Sequence, residues 1–274
     1  MATVHRRVLP GFSISLSYTL VYLAILVLIP IVACFAKAGS LSFEEFSAAV
    51  WTERVRSAYM LTFGAAFVAA VVNAGLGLVL AWVLVRYRFP GRKLVDSLVD
   101  LPLALPTAVA GLVYSALYVQ KGWLGQYLVP LGIYGAYSRF AIVLVLVFVG
   151  LPFVVRTVQP ILEDLDPECE EAAASLGGTR WQTFRHVIFP TLLPALITGF
   201  ALAFARGIGE YGSVVFVSGN MPYKTEIAPI LIVARLEEFA YGEAAAIAVV
   251  LLLISFTLLI ITNRLERWSM RHEH

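Results

Sequence analysis

Charge is what this sequence has least of. Only 14% of its 274 residues are Asp, Glu, Lys or Arg, and 60% are hydrophobic; an ordinary soluble domain carries roughly 25% charge. The shortage runs the whole length. That excludes a soluble domain on a single anchor and indicates an integral membrane protein. Nucleic-acid binding is excluded as well. The net charge is only +2, and no Lys/Arg cluster interleaved with aromatics offers a platform for phosphates and bases.

Chemistry-bearing residues are equally scarce. There are two cysteines, Cys34 and Cys169, and the topology derived below puts them on opposite sides of the membrane, so they do not pair. Of the four histidines, His5, His272 and His274 lie in the tails and only His186 is internal. No metal-ligand spacing exists, and no metal site is expected. No Gly-Lys pair occurs anywhere, which rules out a P-loop whose amides cradle phosphates. This chain therefore binds no nucleotide cofactor of its own, and any ATP hydrolysis behind its activity must sit on another chain. A membrane enzyme would need paired histidines with a carboxylate, or a serine with a base, and neither is present. The expectation is a protein that is not an enzyme.

What the sequence does have is long uncharged runs. Crossing a bilayer takes about 20 apolar residues. The run from Val8 to Ala36 holds 29 residues, too long for the core of a cleavable signal peptide, so it reads as a retained first helix. Six transmembrane helices are expected, near 12–36, 58–85, 101–119, 140–160, 191–217 and 243–262, all within one domain, 1–274. A barrel is excluded because these runs are apolar on every face rather than alternating. The loop from Met221 to Gly242 is half apolar and either dips toward the membrane or lies on it. With six spans, twelve Lys and Arg fall on the side of the termini, including Arg6, Arg7 and Arg271, and seven fall on the other. The positive-inside rule then makes both termini cytoplasmic, together with the segment 165–190.

Two features inside this frame stand out. Ala66, Ala70, Asn73 and Gly77 recur at helical spacing on the second helix, which suits close packing within the chain or a subunit interface. Arg206 and Glu210 lie four apart inside the fifth span, among Gly207, Gly209 and Gly212. Ionisable residues in a span are functional candidates, and this pair reads equally as an internal packing device. Thr107 and Ser213 are further candidate hydroxyl donors. Together the four are the candidate pore or gate, with Lys224 a possible contributor at the outer mouth. The Leu105-Pro106-Thr107 step marks either a helix break beside a cavity or a simple kink.

The cytoplasmic segment is the most structured motif. Asp166-Pro167 is a helix start, an Asx N-cap followed by proline at N1. Glu168, Glu170 and Glu171 suit the positive end of the helix dipole. Leu165, Cys169, Ala172, Ala173 and Leu176 form one face. Gly177 and Gly178 stop the helix, and Thr179 to Gln182 is a capping box for a second helix that carries Trp181, Phe184 and Ile188 up to Pro190. The product is a helix–Gly-Gly–helix elbow. By physics alone it is either a cover for the chain's own membrane ends or a knob for a cytoplasmic partner.

Glu171-Ala172-Ala173, three residues, Gly177, nine residues, then Val187-Ile188-Phe189-Pro190 resembles the EAA signature of permease subunits of ATP-binding-cassette importers. Stretches 6–20, 86–112, 151–184 and 204–220 resemble the sulfate/thiosulfate permease subfamily, in particular its T-type (also called U-type) member. The resemblance implies an all-α integral membrane protein with the type I ABC importer permease fold and a cytoplasmic coupling-helix elbow. It implies that Glu170, Glu171, Ala172, Ala173 and Gly177 dock on an ATPase. The implied partners are two ATP-binding cassette ATPase subunits that use ATP and Mg, a second and different permease, and a periplasmic sulfate-binding protein, in a bacterial inner membrane. Two alternatives stay open: a molybdate/tungstate permease of the same class, and an ATP-independent secondary anion transporter.

Overall fold

The computed structural model describes residues 11–270. Arg6, Arg7, His5, Arg271, His272 and His274 lie outside the described residues. Among those described there is no strand, and five helices are long and apolar enough to cross a membrane. They are α1 (Phe12–Ala38), α3 (Glu53–Arg86), α6 (Arg139–Glu163), α8 (Arg180–Ile208) and α10 (Tyr241–Met270). Shorter helices intervene: α2 (Phe43–Val50), α4 (Arg92–Val99), α5 (Thr107–Tyr118), α7 (Pro167–Ser175) and α9 (Ala228–Glu237).

The core is the mutual packing of α3, α6 and α8. The small-residue stripe of α3 explains why it is tight. Ala66, Ala70, Asn73 and Gly77 are all buried against the chain's own helices, so the seam closes within the chain. A methyl group added at Gly77 would stand 2.7 Å from Cγ1 of Val154 on α6, so only glycine permits this approach. Asn73 is fully enclosed, and neither end of its amide has a hydrogen-bond partner among the described residues. α1 has no buried side chain along its most apolar stretch, as a helix facing lipid should.

Three expectations about helix bounds are corrected. The third span is not continuous over 101–119. A single turn ends at Ala104, Leu105 is extended (ψ 136°), and α5 starts only at Thr107. The residue before a proline is pushed out of the helical region, so Leu105-Pro106 is a break rather than a kink. At 12 residues, α5 is about 18 Å long, too short to cross alone. The fifth span is not 191–217 either. It begins at Arg180, ends at Ile208, and is followed by an irregular segment before one further turn, Val214–Val217. Finally, Pro190 does not separate the elbow from the span. The Phe189 amide reaches back five residues to the Phe184 carbonyl, and this widened turn absorbs the proline that follows. Pro30 in α1 is accommodated the same way, with the Ile29 amide bonded to the Ala24 carbonyl.

The loop 221–242 contains α9, whose Ala228, Ile230 and Leu231 are buried. It packs against α10 and α3, so it returns to the body of the protein.

Candidate functional site

The elbow forms at the end of α6 for the reasons its residues supply. The Asp166 side chain accepts from the Glu168 amide at 3.0 Å, and Glu168 and Glu170 occupy the first turn of α7. The helix stops in a Schellman arrangement: Gly178 N–H bonds the Ala173 carbonyl and Gly177 N–H the Ala174 carbonyl, both at 3.0 Å. Gly177 has φ +82°, the left-handed geometry that favours glycine. The capping box at Thr179 forms in both directions, with the Gln182 amide bonded to Thr179 Oγ1 and the Thr179 amide bonded to Gln182 Oε1.

Nothing in α7 is buried. Glu171 and Ala172 are exposed, Ala173 is half-buried, and Leu176 is 89% and Trp181 65% exposed. Of the two readings left open, a cover for the chain's own membrane ends is the one that a helix with no buried residue does not support. The helix is anchored instead by its rim. Glu170 accepts from Arg86, the last residue of α3, and the Arg86 guanidinium lies 5.3 Å from the Trp82 ring centroid. Trp82 meets Phe184 edge-to-face at 5.6 Å, and Trp181 stacks on Phe184. Next to this anchor, Arg156 of α6 binds Asp96 at 2.6 Å and Asp100 at 2.6 and 2.8 Å, which ties α4 to the core. That hydrogen-bonded guanidinium holds the Asp100 carboxyl below the usual carboxylate range.

The second cluster lies at the other end of α8. Glu210 is 1% exposed. One carboxylate oxygen pairs with Arg206 at 2.5 Å, and the other accepts from the amide and hydroxyl of Ser213 at 2.8 and 2.7 Å. The pair thus caps the turn that breaks the helix. This broken segment fits against the broken third span. A side chain at Gly111 of α5 would run into the Ser213 backbone, and one at Gly212 would run into Thr107. Ser115 donates to the Phe216 carbonyl at 2.7 Å. The structure therefore brings Arg206, Glu210, Ser213 and Thr107 into one locality. Non-helical backbone at membrane depth survives only where protein or a cavity replaces the missing partners; here the Glu210 carboxylate takes the Ser213 amide, and the two broken segments pack closely on each other. Lys224 stands apart; its backbone carbonyl accepts from Arg139.

One group of contacts was missed by sequence reasoning. Arg54 grips Glu226, which is 4% exposed, with two hydrogen bonds of 2.8 and 2.7 Å. The Thr62 hydroxyl accepts from the Ala228 amide at 2.8 Å, and Ser57 donates to the Tyr223 carbonyl at 3.0 Å. These residues are 166 to 172 positions apart. Only the apolar character of α9 hinted at the link.

The comparisons with known proteins agree with this architecture. The family model described as "Binding-protein-dependent transport system inner membrane component" matches residues 73–271. The sulfate transport system permease protein CysT of Synechocystis is 49% identical over 96% of this chain and 92% of its own length. Its Escherichia coli counterpart is 46% identical over 97% and 96%. Among solved structures, a bacterial ABC transporter for the import of alginate aligns over 93% of this chain and 94% of its own, with TM-score 0.78 at 15% identity. The methionine transporter MetNI aligns over 78% and 95%, with TM-score 0.60. At such identities the likeness is one of fold, and the fold is that of the type I ABC importer permeases. The family match over most of the chain, the near-complete sequence relatives and the shared fold agree: the chain belongs to the binding-protein-dependent transport system inner membrane components, the multi-pass inner-membrane permeases of ATP-binding-cassette importers, and within them to the sulfate permease branch.

Proposed function

We propose that this chain is one half of the membrane channel of an ATP-driven importer for sulfate or thiosulfate, that α7 is the element through which an ATPase moves it, and that both termini and α7 face the cytoplasm. The observation that carries the reading is the elbow: a helix with no buried residue, held only at its rim and leading directly into a membrane span. A helix left uncovered by its own chain, with Leu176 and Trp181 outward, supports a docking role for Glu170, Glu171, Ala172, Ala173 and Gly177. Small alanines let a partner surface come close.

Mechanically, α7 is a lever. A push on it passes through the Schellman stop and the Thr179 cap into α8. That helix has 29 residues, so it is about 43 Å long, and it ends at the Glu210 turn against α5. Movement imposed in the cytoplasm therefore reaches the paired breaks around Arg206, Glu210, Ser213 and Thr107, which makes that locality the gate. ATP and Mg belong to two separate ATPase chains. A second, different permease faces this one, and an external binding protein delivers the anion. The sulfate assignment follows the near-full-length relatives, each named a sulfate transport system permease.

The test is gentle purification from membranes followed by mass spectrometry and transport assays. The expected result is an ATPase plus a distinct permease, with ATP-dependent uptake of radiolabelled sulfate. An ATPase with this permease alone, and molybdate uptake, would move the assignment to a homodimeric molybdate importer. A complex that moves anions without any ATPase would remove the docking role of α7.

A further inference from the structure

The end of the core opposite the elbow holds an open cleft of about 690 Å³ that none of the relatives' names assigns to a ligand. Glu53, Arg56 and Ser57 from the start of α3 and Arg139 from the start of α6 form its mouth, and Met60 and Val68 line its descent along α3. From Glu53 to Val68 the wall follows α3 for about 22 Å. It is a wet, charged entrance leading into an apolar lane.

Two features of its arginines are unusual. Arg139 is the first residue of α6, and Arg56 closes the first turn of α3. Both stand at the positive ends of long helices, where a cation is disfavoured and an anion favoured. Arg54, two residues earlier, has a buried carboxylate of its own in Glu226. Arg56 forms no ion pair among the described residues, and Arg139 spends its hydrogen bonds on the Tyr223 and Lys224 carbonyls, which leave its charge unbalanced. Against these two cations the cleft sets one carboxylate, Glu53. Solvated surface arginines need no partner. Here, however, both project over one concave opening that continues inward. The lane is open at Gly64, where a methyl group added would meet nothing within 4 Å.

We propose that this cleft is the entry vestibule of the anion path, that Arg56 and Arg139 attract and hold a small tetrahedral oxyanion dianion there, and that the apolar lane past Gly64 carries it inward. The proposal rests on the importer reading above and deepens it by placing the substrate's first contact on this chain. Arg56 suits a tetrahedral oxyanion because its planar guanidinium offers parallel donors to two oxygens, and Arg139, whose Nε–H is given to the Lys224 carbonyl, adds its charge and its remaining N–H groups. An exposed site binds weakly enough to release its ion inward.

The test uses the whole importer in proteoliposomes, with Cys34→Ser and Cys169→Ser as background and Met60→Cys as reporter. Met60 is 70% exposed and one turn below Arg56. An anionic methanethiosulfonate reagent should label it about tenfold faster than a cationic reagent of equal size, as expected for a steering field. Sulfate should slow the anionic reagent, and Arg56→Gln should erase the preference. Arg56→Gln should also cut sulfate uptake about tenfold while the ATPase still co-purifies, and Arg56→Lys should restore part of it. Gly64→Trp, which fills open space, should block uptake without loss of assembly. Equal labelling rates, or unchanged uptake in Arg56→Gln and Gly64→Trp, would overturn the vestibule and leave the importer standing. A preference that appears only when anionic phospholipids are omitted, and that sulfate does not compete, would assign the arginines to lipid headgroups and overturn it too. A complex that transports another oxyanion but not sulfate, with the charge preference intact, would support the vestibule and overturn the sulfate assignment.

Discussion

The two ends of α8 are built on opposite principles. At the elbow end, α7 buries nothing, and Leu176 and Trp181 just beyond it stand exposed. At the other end, Glu210 is sealed in and both of its oxygens are used, by Arg206 and by Ser213. One end leaves its surface open; the other has its polar groups satisfied within the chain. One helix of 29 residues joins them, and under the proposed function a force applied at the open end rearranges the closed one. The teaching is that exposure and satisfaction, rather than charge alone, separate a docking element from an internal lock. By sequence both segments set carboxylates beside glycines, three glutamates before Gly177 and Gly178 and the single Glu210 among Gly207, Gly209 and Gly212.

The sharpest way to break this comparison is Glu210→Ala. It leaves Arg206 and two Ser213 donors without their acceptor, and removing one partner of a buried pair costs about 3 kcal/mol or more. Detergent-solubilised protein should unfold at a clearly lower temperature and should be more readily cleaved near 209–213; unchanged stability would mean that the pair is no lock. Gly177→Pro and Glu171→Lys attack the other end. Proline cannot adopt φ +82°, and lysine reverses the charge at the exposed α7 face. Either should reduce uptake at least about tenfold, equivalent to ~1.4 kcal/mol of lost docking, while membrane insertion and melting stay normal. Uptake that survives both would dissolve the distinction between the two ends.

Ser213→Ala is a finer probe. It removes one of two donors to one carboxylate oxygen and should cost about 1–2 kcal/mol, visible as a smaller drop in melting temperature than Glu210→Ala. The smallest effect concerns the Asp100–Arg156 contact beside the elbow. Because Asp100 titrates below its ordinary range in the folded protein, its contribution is fully present above the unfolded value near ~3.9. It is lost as pH falls through the lower folded value. Protease protection of 92–100 should thus be flat from neutral pH down to about 4 and fall only below that. An Asp100→Asn variant should lack that acid step.

Much of the elbow was legible in the sequence because its forces are local. An Asp before a proline, glutamates in a first turn, a Gly-Gly stop and a Thr-to-Gln box each act within four residues. All four appear in the structure at the expected positions. The span bounds were less legible. Hydropathy reports whether a run prefers lipid, and it cannot tell a continuous helix from one broken by glycines whose polar groups find partners elsewhere. Gly207, Gly209 and Gly212 were the available signal for the break after Ile208. The Leu105-Pro106 step was the signal for the other. Both looked apolar throughout because their exposed amides and carbonyls leave no mark on composition.

The sequence by itself determined that the chain lives in a membrane, that it hydrolyses no nucleotide on a P-loop of its own, and that a capped elbow stands between its fourth and fifth long apolar runs. These follow from transfer free energy and short-range backbone chemistry, which depend on residue type and spacing alone. Tertiary structure decided the rest. Arg54 meets Glu226 across 172 positions, Ser115 meets Phe216, and the broken spans pack against one another. Arg56 and Arg139, 83 residues apart in the chain, share one opening. Such pairings depend on how α3, α6 and α8 pack, and that packing is set by interlocking small-residue surfaces whose partners no local pattern names.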